Sequence, residues 1–403
     1  MPLRRAAIVA PIRTPVGKFL GSLAAMTAGD LGAVILKALV ERTGIDPERI
    51  DDVVFAQGYA SGEAPCIARW SALAAGLPIS VPGYQLDRRC GSGLQSVIDA
   101  AMMVQTGAAD VVVAGGVESM SNVEHYTTDI RGGTKMGGMT LHDRLARGRL
   151  MSQPIARFGV ISGMIATADN LARDYDISRE AADAYALRSH QNAARAWDAG
   201  VFADEIVRVA VPQKRGDPKW FDRDEGYRAD ATLETLAALA PIEGGVVTAG
   251  NASQQNDAAA ACLVVAEDRL DALGLTPLAW FHSWAAAGCD PSRMGIGPVP
   301  AVARLFARSG LGWGDIDLVE LNEAFAPQVL AVLKGWGWSE DDNRRDMLNV
   351  NGSGISLGHP IGATGGRILA TLTRELHRRG GRYGLETMCI GGGQGLAAIF
   401  ERA

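Results

Sequence analysis

Cys90 lies between Gln85-Leu86-Asp87-Arg88-Arg89 and a segment whose apolar residues Leu94, Val97, Ile98 and Ala101 repeat with helical period. Gly91 and Gly93 leave little bulk around the sulfur and permit a tight strand-to-helix turn. A thiol at a helix N-terminus feels the positive end of the helix dipole, which favours thiolate. Most free cysteines are inert packing residues. Here the flanking glycines and the arginine pair point to a nucleophile.

His359 stands in Gly358-His359-Pro360-Ile361-Gly362, just before a helical pattern carrying Ile368, Leu369, Leu372 and Leu376. Those glycines place an imidazole on an exposed turn at the same structural level as Cys90, and a cysteine beside a histidine is an activated nucleophile. Cys389 precedes Ile390-Gly391-Gly392-Gly393-Gln394-Gly395, where consecutive glycines after an apolar strand can form an oxyanion nest. The loop lacks the Lys-Ser/Thr of a P-loop. Asn322, in Asn322-Glu323-Ala324-Phe325-Ala326, either reaches the same mouth or caps the next helix.

The elements that must position these groups alternate. Short apolar runs (Ala7–Ala10, Asp52–Ala56, Val111–Ala114, Leu318–Leu321) are separated by helical patterns such as Leu31–Arg42, which describes an α/β protein with buried strands. Arg42-Thr43-Gly44-Ile45 with Ile50, Asp51 and Val53 returns as Arg308-Ser309-Gly310-Leu311 with Ile316, Asp317 and Val319, a constant spacing of 266 residues. After each copy the pattern predicts a strand (Gly83–Leu86; Met347–Val350), a glycine-rich turn with a reactive residue, a helix to Gln105 or His377, and a strand ending in glycines. Two similar halves follow. Residues from about 122 to 250 break the pattern, with a polar stretch Gln213–Asp230 and a long helix running from a Ser178 cap to Gly200.

The 403 residues carry 39 Lys+Arg and 45 Asp+Glu, a net charge of −6 that offers no basic field for nucleic acid or anionic lipid. The N-terminal apolar run, Ala6–Ala10, is too short for a signal peptide, and no run approaches the roughly 20 residues of a membrane span. A cytoplasmic protein is expected. The five cysteines are scattered and never in a C-x-x-C pair, so neither a disulfide framework nor a metal site is favoured.

Cys90-Gly91-Ser92-Gly93, Gly116-Val117-Glu118-Ser119-Met120-Ser121, Gly250-Asn251-Ala252-Ser253, Asn322-Glu323-Ala324-Phe325-Ala326, Gly358-His359-Pro360 and Cys389-Ile390-Gly391-Gly392-Gly393 together resemble the thiolase family along essentially the whole chain. The resemblance implies an α/β thiolase-like fold of two repeated halves, each with a mixed sheet, plus an inserted loop domain. Residues 1–121 and 251–275 would form the first half, 122–250 the insertion and 276–403 the second half. It implies acetyl-CoA C-acetyltransferase chemistry: reversible Claisen condensation of two acyl-CoA molecules to 3-oxoacyl-CoA plus CoA. No cofactor would be permanently bound, CoA thioesters being substrates, and the chain would assemble as a homotetramer, a dimer of dimers.

Carried over by motif, Cys90 takes the acyl group, His359 accepts its proton, and Cys389 removes or returns the α-proton of the second acyl-CoA. One oxyanion hole comes from His359 and a water on Asn322, the other from the N–H groups of Cys90 and Gly391. CoA contacts fall to Arg228, Thr235, Ala249 and Ser253, with Phe325 nearby. Met164 and Met294 are either a flexible pocket wall or ordinary core. Asp87 replaces a frequent Asn, Arg89 directly precedes the nucleophile, Gln254-Gln255 replaces Gly and an aliphatic residue, and Gly163 replaces the His common in acetoacetyl-CoA-forming members. Chain length is therefore open, with a longer-chain degradative 3-ketoacyl-CoA thiolase as the alternative. A condensing synthase typically uses two His, against Cys389; a non-catalytic CoA- or lipid-binding protein would not need all four reactive side chains.

Overall fold

The computed structural model describes residues 3–133 and 136–403. In the first half β1 (Ala6–Arg13), β2 (Gly17–Lys18), α1 (Ala28–Thr43), β3 (Asp52–Ala56), α2 (Ile67–Ala74), β4 (Tyr84–Leu86), α3 (Ser92–Thr106) and β5 (Val111–Ser119) follow in order. Next come β6 (His125–Tyr126), β7 (His142–Asp143), α4 (Arg144–Leu150), α5 (Ile155–Phe158), α6 (Met164–Asp174), α7 (Arg179–Asp198), β8 (Val209–Val211), β9 (Lys219–Phe221) and α8 (Leu233–Ala237). The chain then returns through β10 (Asn256–Ala266) and α9 (Leu270–Leu273) to β11 (Ala279–Gly288), α10 (Pro298–Ser309), β12 (Leu318–Leu321), α11 (Ala326–Gly335), α12 (Ile361–Arg379), β13 (Tyr383–Ile390) and β14 (Gln394–Arg402).

The main sheet runs β12-β13-β14-β11-β1-β10-β5-β3-β4, with β2 on β10. It reads the same from both ends. β3 pairs parallel with β5 and β12 with β13; β5 pairs antiparallel with β10 and β13 with β14; β10 meets β1 and β14 meets β11. A short β1–β11 pairing (Ala7↔Trp280, Ile8↔Ala279) joins the halves. Both copies of the repeated motif end a helix on a left-handed glycine, Gly44 after α1 and Gly310 after α10, where no other residue fits as cheaply. The expected strand Met347–Val350 is absent. Only Leu348 bridges to Val319, because this edge leads straight into a long turn.

Strand alternation sorts the core into layers. Val53, Phe55, Val111, Val113 and Leu263 face α1 and α2, whereas Val54, Val112, Ala114, Cys262 and Val264 face a central layer. That layer is α3 and α12, whose Leu94, Val97, Ile368, Leu369 and Leu372 also meet Phe281, Met388, Leu396 and Phe400 of the second half. On the far side, Leu321, Leu385 and Ile399 pack against α10 and α11. Burying each such side chain contributes about 1.5–3 kcal/mol. The two central helices touch backbone to backbone at their starts. A Cβ on Gly93 would sit 2.8 Å from both Gly362 O and Gly365 N, so only glycine lets both N-termini reach one spot.

None of β6–β9 joins the main sheet; they form two separate two-stranded ribbons. The polar stretch within 213–230 is tied down by Asp224, which accepts from buried Arg13 at 2.7 and 3.0 Å. α7 begins at Ser178, whose hydroxyl accepts from Ala181 N–H. Among the described residues no helix is long and apolar enough to cross a membrane.

Candidate active site

β4 ends four residues before Cys90, and a single 3-10 turn (Arg89–Gly91) leads into α3. Ser92 Oγ accepts from Arg88 N–H (2.7 Å) and donates to Arg89 O (2.6 Å), fixing that turn. Arg89 is held at φ +50°. The Cys90 sulfur accepts from its own N–H and from Gly391 N–H. Burial nonetheless pushes the Cys90 thiol above its ordinary range. This corrects the thiolate expected from the helix dipole: loss of water outweighs the dipole, so the sulfur rests protonated and needs a base.

His359 lines the same cavity as Cys90, although not from an exposed turn. It is only 6% exposed. Its N–H donates to Asn256 Oδ1 (2.9 Å), Nδ1 lies 2.7 Å from Thr364 Oγ1, and Nε2 lies 3.5 Å from Asn322 Nδ2. Donation from Asn322 leaves Nε2 an acceptor and puts the proton on Nδ1, facing Thr364. Burial, with Arg367 and Arg149 nearby, holds the imidazolium pKa down to about 3, so the ring is neutral.

Cys389 is fully buried at the end of β13, and burial, with the charge of the Cys90 and Cys289 thiolates added to it, pushes its thiol well up. It packs with Met164, Met294, Ala324 and Phe325. The three glycines form the β13–β14 turn, with Gly392 and Gly393 left-handed. Gly393 N–H is spent on Ile390 O, which leaves Gly391 N–H for Cys90. Asn322 is fully buried behind His359 rather than at the mouth, and Phe325, not Asn322, occupies the cap position of α11.

Cys90, His359 and Gly391 line one cavity of about 520 Å³, with Met164, Met294, Ala249, Ser253 and Phe325 in its walls. Both methionines therefore serve the pocket wall. Arg228 and Thr235 do not line it: Arg228 is exposed, and the exposed Thr235 hydroxyl is used in the α8 cap. The segment 251–253, just after the insertion, clamps onto the second half beside the cavity, Ser253 N–H donating to Ala324 O and Ala326 N–H to Asn251 O.

Sequence reasoning missed five contributors. Tyr59 and Arg149 line the cavity. Thr364 and Asn256 orient His359. Glu118, within Gly116–Ser121, is fully buried and accepts from Gly58, Tyr59 and Gly362 N–H (2.8, 3.2 and 3.0 Å); burial raises its pKa to about 7. It ties the β3 exit to the His359 turn. An acidic residue inside an otherwise apolar strand was the available signal.

The sequence matches the families described as Thiolase, N-terminal domain, over residues 6–268 and Thiolase, C-terminal domain, over residues 275–402. An acetyl-CoA acetyltransferase of Chromobacterium violaceum is 47% identical over 399 residues, 98% of this chain and 99% of that one. The solved acetyl-CoA acetyltransferase of Bacillus anthracis has a TM-score of 0.94 at 40% identity, with 100% of both chains covered. Human mitochondrial 3-ketoacyl-CoA thiolase in complex with CoA has a TM-score of 0.92, also at 40% identity, over 100% of this chain and 99% of that one.

Proposed function

The chain belongs to the thiolase family, and on that premise we propose that it is an acetyl-CoA C-acetyltransferase working through an acyl-Cys90 intermediate. The observation that carries this reading is the convergence of Cys90, His359 and Gly391 on one cavity, with Cys389 packed against its walls Met164, Met294, Ala324 and Phe325.

In the thiolysis direction His359 Nε2 takes the Cys90 proton as the sulfur attacks C3 of a 3-oxoacyl-CoA. The oxyanion on C3 is held by the N–H groups of Cys90 and Gly391. Collapse breaks the C2–C3 bond; the electron pair goes to C2, which takes a proton from Cys389, and acetyl-CoA leaves. His359 and a water on Asn322 hold the enolate oxygen during that transfer. The Cys389 thiolate then removes the proton of an incoming CoA thiol. CoA attacks the thioester, and Cys90 departs and recovers its proton from His359. Condensation is the same sequence reversed.

The buried, neutral His359 suits a proton carrier, since the cation it briefly forms has every reason to pass the proton on. Arg228, Thr235, Ala249 and Ser253 are the proposed CoA contacts, the last two in the cavity wall. Residues 1–121 with 251–275, 122–250 and 276–403 are the proposed first half, insertion and second half. A cytoplasmic homotetramer is proposed too, supported by the exposed apolar Ile130, Met139 and Leu141 of the insertion; light scattering would check the assembly. The same 40% identity to a 3-ketoacyl-CoA thiolase as to an acetyl-CoA acetyltransferase supports longer esters as a second reading. The test is acetyl-CoA release from acetoacetyl-CoA and its longer homologues with CoA. Cleavage is expected; inertness toward every length contradicts the assignment.

A further inference from the structure

Resting on the thiolysis reading above, the atoms of a 3-oxoacyl-CoA beyond C3 stay on Cys90 after cleavage, so whatever lines the cavity beside Cys90 chooses the tail. That lining is cationic. Arg89 directly precedes Cys90 and lines the cavity with Arg149. A second cavity of about 280 Å³ shares Tyr59, Arg89 and Gly148 with the first and adds Arg144 and Arg147.

Three of these four guanidiniums, Arg89, Arg147 and Arg149, are poorly neutralised. Arg144 is paired with Glu124 at 2.8 Å. Arg89 reaches Asp87 only at 3.9 Å and Gly58 O at 3.3 Å. Arg147 lies 2.9 and 3.1 Å from the two ring nitrogens of His142, and Arg149 lies beside the Tyr59 hydroxyl. Among the described residues no carboxylate stands within 4.0 Å of Arg147 or Arg149. Of the two carboxylates in these walls, Asp87 is the distant partner of Arg89, and Glu243 accepts from Ser162. Arg89 also occupies the left-handed backbone region, which disfavours side chains and is tolerated mainly at functional sites.

We propose that the acyl group carried by Cys90 ends in a carboxylate, received by Arg89 together with Arg149 or Arg147, so that the substrates are 3-oxoacyl-CoA esters of dicarboxylic acids. The guanidinium fork matches a carboxylate in geometry and charge, whereas an alkyl tail of equal length would displace water from these arginines and return nothing. The carboxylate takes no part in bond making; the bonds broken and formed are those given above.

The test compares CoA-dependent thiolysis of 3-oxohexanoyl-CoA with that of 3-oxohexanedioyl-CoA by the full chain. The kcat/KM ratio should favour the carboxylated ester by about tenfold or more. It should fall toward one in Arg89→Met and in Arg149→Met, through KM of the carboxylated ester. If Arg89→Met fails to fold, Arg149→Met and Arg147→Met decide alone. A wild type that prefers the neutral ester overturns the proposal and leaves the thiolase reading standing. A ratio unchanged in the variants, with KM for CoA raised against both esters, assigns the arginines to CoA and overturns it as well. Cleavage of neither ester removes the thiolase reading and this proposal together.

Discussion

In the first half the chain passes from β4 to α3 through five residues, Asp87 to Gly91, and leaves Cys90 half-buried on the cavity wall. In the second half the path from the Leu348 bridge to α12 takes twelve, Asn349 to Pro360, and His359 is buried. The long turn is held by Glu323, which accepts from Tyr185, Ser189, Asn349 and Ile355. The strand ends differ as well. Register places Val117 of β5 where β13 carries Cys389. One topology used twice thus yields a half-buried thiol on the cavity wall in one half and a buried imidazole and thiol in the other. On the proposed roles, that contrast gives the nucleophile access and the proton carriers dehydration and fixed partners.

Replacing each reactive group tests that division, beginning with the largest effect. Cys90→Ala should lower both thiolysis and condensation by about 10⁴-fold or more; a variant within tenfold of wild type by steady-state assay would merge the two roles. Cys389→Ala should lose about 10²–10⁴-fold in turnover while still taking up one acyl group. Near-normal turnover would leave β13 no different in function from β5. Asn322→Ala should cost about 10²–10³-fold in kcat with little change in KM for CoA. An effect confined to KM would make Asn322 a binding residue.

The crossing of α3 and α12 gives a smaller effect that reports on both halves together. Gly93→Ala should lower stability by about 1–3 kcal/mol, read by thermal unfolding, because the added methyl meets the α12 backbone. An unchanged melting temperature would show that the two helix starts do not touch. The smallest expected effect concerns protons. His359 is held down to about 3 and His190 to about 4, so in acid the unfolded chain binds protons that the folded one refuses. Their contribution is present above about pH 6.5 and is lost as pH falls toward those values. Glu118, raised to about 7, works in the opposite sense between its ordinary range and neutrality. His190→Asn should therefore flatten the acid-side loss of melting temperature, and nitrogen-15 NMR should find the His359 ring neutral at pH 5.

Local features were legible in the sequence. Asp52–Ala56 and Leu318–Leu321 are strands at the expected bounds, and glycine turns marked both reactive residues. Features made by distant contacts were not. The Met347–Val350 strand failed because an edge position has one neighbour, and its composition cannot say that only Leu348 pairs. The thiolate expected at Cys90 failed because burial is tertiary: Ile390 and Leu396 come from nearly three hundred residues away to surround that turn. Arg149 and Tyr59 carry no local mark of a cavity wall, and Arg228 and Thr235, placed by motif position, stand outside it.

The most direct test of the shared cavity is peptide-mapped mass spectrometry after a rapid quench with acetyl-CoA. One acetyl group should appear on the peptide holding Cys90 in the wild type and in Cys389→Ala, and on no peptide in Cys90→Ala. Acetyl found on Cys389, or anywhere in Cys90→Ala, would contradict the account.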